Sequence, residues 1–243
     1  MRVHTLSDLH LSLARPKPMD IFGPAWEDHP RKIEKNWREV VEEDDWVLVA
    51  GDLSWAMKLD EVRPDLEFLE GLPGKKVLIK GNHAHWWSSR AKVERILPPS
   101  VRILQNDALS LGGGWVVAGS RGWNFPGTPG FTGQDEKILA REVGRLRLSL
   151  EAAAGLGGRG LIVMTHFPPL LQDGKESPLL PLILESGARF CLYGHLHGKD
   201  HQAGFQGLRG RTRFLLTSAD ALDFRPLLVL DTEREEGEGE RGA

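Results

Sequence analysis

The sequence predicts an α/β sandwich, two packed sheets flanked by helices. Short strand-like runs recur along the whole chain, and most are continuous apolar or β-branched stretches, as in strands covered on both faces. Stretches with helical spacing separate the early runs. Five small polar blocks each follow a strand-like run directly, which is where an open α/β sheet gathers its ligands.

Strands are expected at residues 3–7, 46–50, 77–80, 101–104, 115–118, 161–165, 190–193, 214–217 and 227–230. Ile33, Trp37, Val40 and Val41 fall on one helical face. Val62, Leu66 and Leu69 repeat the stripe after Asp60, a candidate N-cap. Ile138, Leu139, Val143, Leu146 and Leu150 mark the longest helix, starting near Asp135. Trp86 and Trp87 open a further helix with Val93 and Ile96, and core packing is the expected role of both rings. Two long loops, 9–30 and 120–134, carry proline and aromatic residues, and long loops of this kind are commonly functional. Residues 1–232 read as one domain, and 233–243 as a mobile acidic, glycine-rich tail.

Composition narrows the function classes. The net charge of −3 gives no push towards nucleic acid as a partner. No apolar run approaches the ~18 residues of a membrane span. The single cysteine, Cys191, sits in an apolar run and reads as a core thiol. With no leader-like opening, it gives a cytoplasmic expectation.

The five blocks are Asp8-Leu9-His10, Gly51-Asp52, Gly81-Asn82-His83, His166 and Gly194-His195-Leu196-His197. Carboxylate, imidazole and amide oxygen together suit Mn, Fe, Zn or Co. One carboxylate can bridge two such ions ~3.5–4 Å apart, the spacing used for displacement at phosphorus. Alternate residues of an extended segment point the same way, so Asp-x-His and His-x-His each aim two donors together. The glycines before Asp52, Asn82 and His195 are expected to turn the chain and leave room for a metal or phosphate. Two divalent ions against two aspartates leave the site about two charges positive, a receptor for phosphate. Each block alone is commonplace, a turn or a polar strand end. Their ordered combination has no structural explanation.

That combination resembles the calcineurin-like metallophosphoesterase superfamily, from Asp8 to His197. The resemblance implies a four-layer αββα sandwich and two divalent metal ions. Asp8, His10 and His197 would hold one ion, Asn82, His166 and His195 the other, and Asp52 would bridge. His83 would face the phosphate and assist the leaving group. The implied activity is hydrolysis of a small phosphodiester, phosphomonoester or pyrophosphate by a hydroxide bridging the metals. A nuclease or a non-catalytic scaffold on the same fold is the alternative. The run after Gly51-Asp52 lacks the further Asp-Arg-Gly of the protein phosphatases.

Lys80 replaces the arginine often found before the glycine, and a second departure matters more. Ala84 stands where an acidic residue usually orients the histidine, so His83 lacks that carboxylate partner. Among other residues, His201 is expected beside the metal ligands, while His4 and His29 read as packing. Arg121, Trp123 and Asn124 divide evenly between substrate contact and loop packing. Lys75-Lys76 reads as the cap of a surface strand, too short for a nucleic-acid patch.

Overall fold

Strand β2 (Trp46–Val49) shows how the layers form. Val47 and Val49 pack with Ile33 and Trp37 of helix α1 (His29–Val40) and Leu66 and Leu69 of helix α2 (Arg63–Glu70). Leu48, pointing the opposite way, packs with Trp115, Val117, Ile162, Met164 and Leu192. The strand is apolar on both faces because one meets helices and the other meets a second sheet.

The protein is described by a computed structural model covering residues 1–233. The first sheet joins β2 to β1 (Arg2–Thr5), β3 (Lys75–Leu78), β4 (Val101–Ile103) and β11 (Leu227–Asp231), in the order β11-β1-β2-β3-β4. Strands β1 to β4 are parallel and β11 is antiparallel. The second sheet holds β5 (Ala108–Gly112), β6 (Trp115–Ser120), β7 (Gly160–Thr165), β8 (Phe190–Tyr193), β9 (Gly207–Arg209) and β10 (Thr212–Leu216). Its order is β5-β6-β7-β8-β10-β9, parallel in the middle with antiparallel edges. Val163 and Cys191 face helices α4 (Gly133–Leu156) and α5 (Leu179–Glu185) through Leu139, Leu146, Leu180 and Ile183. The layers are helix, sheet, sheet, helix, as expected.

All nine expected strands are present, with ends shifted by a few residues. Edge strands β5 and β9 are additions. Both are short, carry glycine and pair on one side only, so they lack the apolar run that marks a covered strand. Helix α5 also went unread, because Pro181 interrupts its sequence. Asp60 is not a cap, since α2 starts at Arg63 with Val62 before it. Thr132 and Asp135 instead form a capping box at the start of α4. Trp86 and Trp87 are buried as expected, but they lie ahead of the short helix α3 (Arg90–Glu94) rather than in it. Lys76 is fully buried and not a surface cap. Apart from Glu233, the expected tail lies outside the described residues. Among the described residues, no helix is long and apolar enough to cross a membrane.

Candidate metal centre

Strands β1, β2 and β3 of one sheet and β7 and β8 of the other end together, and all five blocks meet there. The Asp8 amide donates to the Gly51 carbonyl (3.0 Å) and the Gly194 amide to that of His166 (3.1 Å). The His195 amide, from the second sheet, donates to both Asp8 carboxylate oxygens at 3.1 Å. These bonds lock the ends of the two sheets to each other.

The donors form two adjoining sets. Asp8, His10 and His197 offer atoms all within 4.8 Å of one another, with the Nε2 atoms of His10 and His197 3.3 Å apart. Asn82 Oδ1 lies 2.6 Å from His166 Nε2 and 3.0 Å from His195 Nδ1. Asp52 Oδ2 sits between the sets, 3.3 Å from His166 Nε2 and 4.0 Å from His10 Nε2. The structure therefore brings all seven sequence-selected donors together.

The donor chemistry fits cations. His166 Nδ1 donates to the Ala50 carbonyl at 2.9 Å, which turns its Nε2 towards two oxygen acceptors, Asn82 Oδ1 and Asp52 Oδ2. Only a proton or a metal ion satisfies that point. His197 Nδ1 likewise donates to Asp220 Oδ1 (2.8 Å), leaving Nε2 to face His10.

The backbone is strained where the donors lie. Asp8, His10, Asp52 and His195 all have φ between 46° and 72°, a left-handed conformation uncommon for residues other than glycine. Gly51 turns the chain as expected, with φ +104°, whereas Gly81 and Gly194 do something else. A Cβ on Gly81 would strike the Asp52 carboxylate, and one on Gly194 would strike that of Asp8. The space they open is filled by the neighbouring donors rather than reserved for metal or phosphate. Neither needs a positive φ, so close approach is what demands glycine.

Electrostatics follow from burial and crowding. Burial holds His10 down to about 4 and His195 to about 3, so both rings are neutral with lone pairs available. His197 goes the other way. Burial would lower it, but Asp220 and Asp8 outweigh burial and lift it to about 10. Burial likewise works against the Asp8 and Asp52 carboxylates, yet the surrounding histidines hold both below their ordinary value.

Several residues outside the five blocks contribute. Asp220, just after β10, binds His197 with one oxygen and His201 Nε2 (3.0 Å) and the Gly198 amide (2.9 Å) with the other. His201 thus stands beside the ligands as expected, through Asp220. Ser218 Oγ donates to Asp8 at 3.1 Å. His29 is buried, and its Nε2 lies 3.3 Å from the His10 carbonyl, so it steadies a donor's backbone. Trp55 stacks on His10 at 4.8 Å and leans on His83 at 4.3 Å, with the Lys17 ammonium 3.2 Å above its ring.

His83 is tied to the site through its backbone, whose amide donates to Asp52 Oδ1 at 2.9 Å. Among the described residues no carboxylate hydrogen-bonds its ring. Ala84, where an acid was expected, is buried in the apolar core. In loop 120–134, Trp123 bonds Asp135 at 2.7 Å and lies on Phe167, which lies against His195 at 4.0 Å. The loop therefore packs on its own aromatics and borders the centre.

The calcineurin-like phosphoesterase family profile matches residues 1–199, a span that includes every donor above, and the chain belongs to that family. The chain is 24% identical over 192 residues to the Gene 66 protein of Mycobacterium phage L5, covering 79% of this chain and 75% of that protein. Its fold is similar to that of phosphopantetheinyl hydrolase from Mycobacterium tuberculosis, with TM-score 0.56, 18% identity and coverage of 94% and 95% of the two chains. It is also similar to TT1561 of Thermus thermophilus, with TM-score 0.60, 15% identity and coverage of 93% and 97%.

Proposed function

We propose that this chain, a single domain over residues 1–232, is a cytoplasmic binuclear hydrolase of small phosphate esters. The carrying observation is the place of Asp52 Oδ2 between two histidine-rich donor sets. Asp8, His10 and His197 would hold one divalent ion, and Asn82, His166 and His195 the other, with Mn, Fe, Zn or Co suited to these donors, and Asp52 would serve both. When bound, the ions supply Lewis acidity and a water of lowered pKa.

The chain's own residues do the rest. Asp220 fixes the His197 tautomer so that Nε2 is presented to the site. Burial keeps His10 and His195 neutral. The His83 imidazole, held against Trp55, delivers a proton to the leaving oxygen. Trp123 and Phe167 wall the side next to His195 and fit an ester with an organic group on each side of phosphorus.

The test is hydrolysis of bis(4-nitrophenyl) phosphate and 4-nitrophenyl phosphate before and after chelation. Chelation abolishes turnover, Mn²⁺ or Co²⁺ restores it, and the diester is cut faster. Undiminished turnover after rigorous metal removal contradicts the reading.

A further inference from the structure

A second polar cavity, of about 80 Å³, is lined by Lys80, Arg121, Glu142 and Arg145 among others. It lies where β3 and β6 end against helix α4, and it contains none of the seven metal donors. It has room for several waters or one tetrahedral oxyanion.

Three cations here face one carboxylate. Glu142 is 1% exposed, and its Oε1 accepts from Arg121 at 3.0 Å and Arg145 at 2.6 Å. Among the described residues, Lys80 Nζ donates only to a neutral group, the Trp87 carbonyl, at 3.2 Å. The Arg121 guanidinium lies over Trp123, 4.3 Å from the ring centroid, which fixes its plane. Arg145 is 42% exposed and screened by solvent. Arg121 and Lys80, however, are largely buried against the single carboxylate, and positive charge in excess there is costly, so an anion relieves it.

Two buried atoms specify which anion. Arg121 Nε, a donor, and Glu142 Oε2, an acceptor, have no hydrogen-bond partner among the described residues. Buried polar groups are rarely left so. Water would satisfy both atoms but not the charge. Sulfate would satisfy the charge and Arg121, yet it has no proton to give Glu142. A phosphate group carrying one proton does all three: its P–O⁻ oxygens accept from Arg121 and Lys80, and its P–OH donates to Glu142 Oε2.

We propose that this cavity is a binding site for a protonated phosphate group, either inorganic hydrogen phosphate or a second phosphate of the substrate. The site itself does not depend on the hydrolase reading; only the substrate source does.

Inorganic phosphate and inorganic sulfate are titrated calorimetrically into the full, metal-loaded chain. Two phosphate sites are expected. Asp52→Asn removes the one at the metals. Arg145→Met weakens the other about tenfold, as loss of a positive charge beside the bound anion does, while Arg145→Lys retains most of it. Wild type prefers phosphate to sulfate at this second site, and Glu142→Gln, which offers a donor instead, erases the preference. Circular dichroism and metal content confirm that each variant is folded. Adenosine 5′-monophosphate and adenosine 3′,5′-bisphosphate separate the sources. A lower KM for the bisphosphate that disappears in Arg145→Met assigns the cavity to substrate, and equal KM values assign it to the free ion. If neither is hydrolysed, the nitrophenyl esters still decide the hydrolase reading and the phosphate titration still decides the cavity. A second-site phosphate affinity unchanged by both Arg145→Met and Glu142→Gln, or equal affinities for phosphate and sulfate in wild type, overturns the proposal.

Discussion

The His83 imidazole lies against the indole of Trp55, ring centroids 4.3 Å apart. Position 84 holds a buried alanine and no carboxylate, so this aromatic wall is what the ring rests on. His83→Ala is expected to lower kcat by ~10²–10⁴-fold with metal content intact, as loss of a general acid does. Trp55→Ala should reproduce much of that loss by freeing the ring, and Trp55→Phe should recover most of it. Wild-type kcat in Trp55→Ala would show that another group orients His83.

Asp220 is tied to His197 rather than to a metal position, so its effect should be indirect. Asp220→Asn keeps the shape but weakens the hold on the His197 tautomer. Affinity at the Asp8–His10–His197 set should fall ~10–100-fold, with the other set little changed. Metal titration followed by calorimetry reads both. Equal weakening of the two sets would contradict the assignment.

Lys76 gives a pH dependence remote from the site. Its ammonium is fully buried and bonded to the Leu72 carbonyl and Ser100 Oγ. Burial lowers its pKa from 10.5 to about 8. Between these values the unfolded chain holds the proton and the folded chain releases it, so folding grows more favourable as pH rises through the window. Below pH 8 the buried charge is at its most costly. The Tm of Lys76→Met relative to wild type should therefore be highest near pH 7 and decline towards pH 10.5. A difference that does not vary with pH would mean that Lys76 titrates normally.

The seven donors were legible because each follows a strand-like run and carries its own chemistry. Asp52 and Asn82 are 30 residues apart in sequence, yet adjacent parallel strands end side by side. Asp220 obeys the same strand-end rule after residues 214–217, and that signal could have found it. Trp55 could not be found this way, because an indole against an imidazole has no spacing rule. Lys76 misled for a related reason. Beside Lys75 it reads as surface charge, and only the fold shows that its partners lie at Leu72 and Ser100. Gly51 turns the chain as its position suggests, but the cause at Gly194 is hidden in the sequence, since it takes the second sheet to bring Asp8 against it.

Asp52 lies between the two donor sets, and the proposed hydrolase needs it to join two metal positions. Elemental analysis of the purified, metal-saturated chain should give about two divalent ions per chain for wild type and about one for His10→Ala. For Asp52→Asn, which weakens both positions at once, it should give well under one. One ion per chain in wild type, or equal losses in Asp52→Asn and His10→Ala, would contradict it.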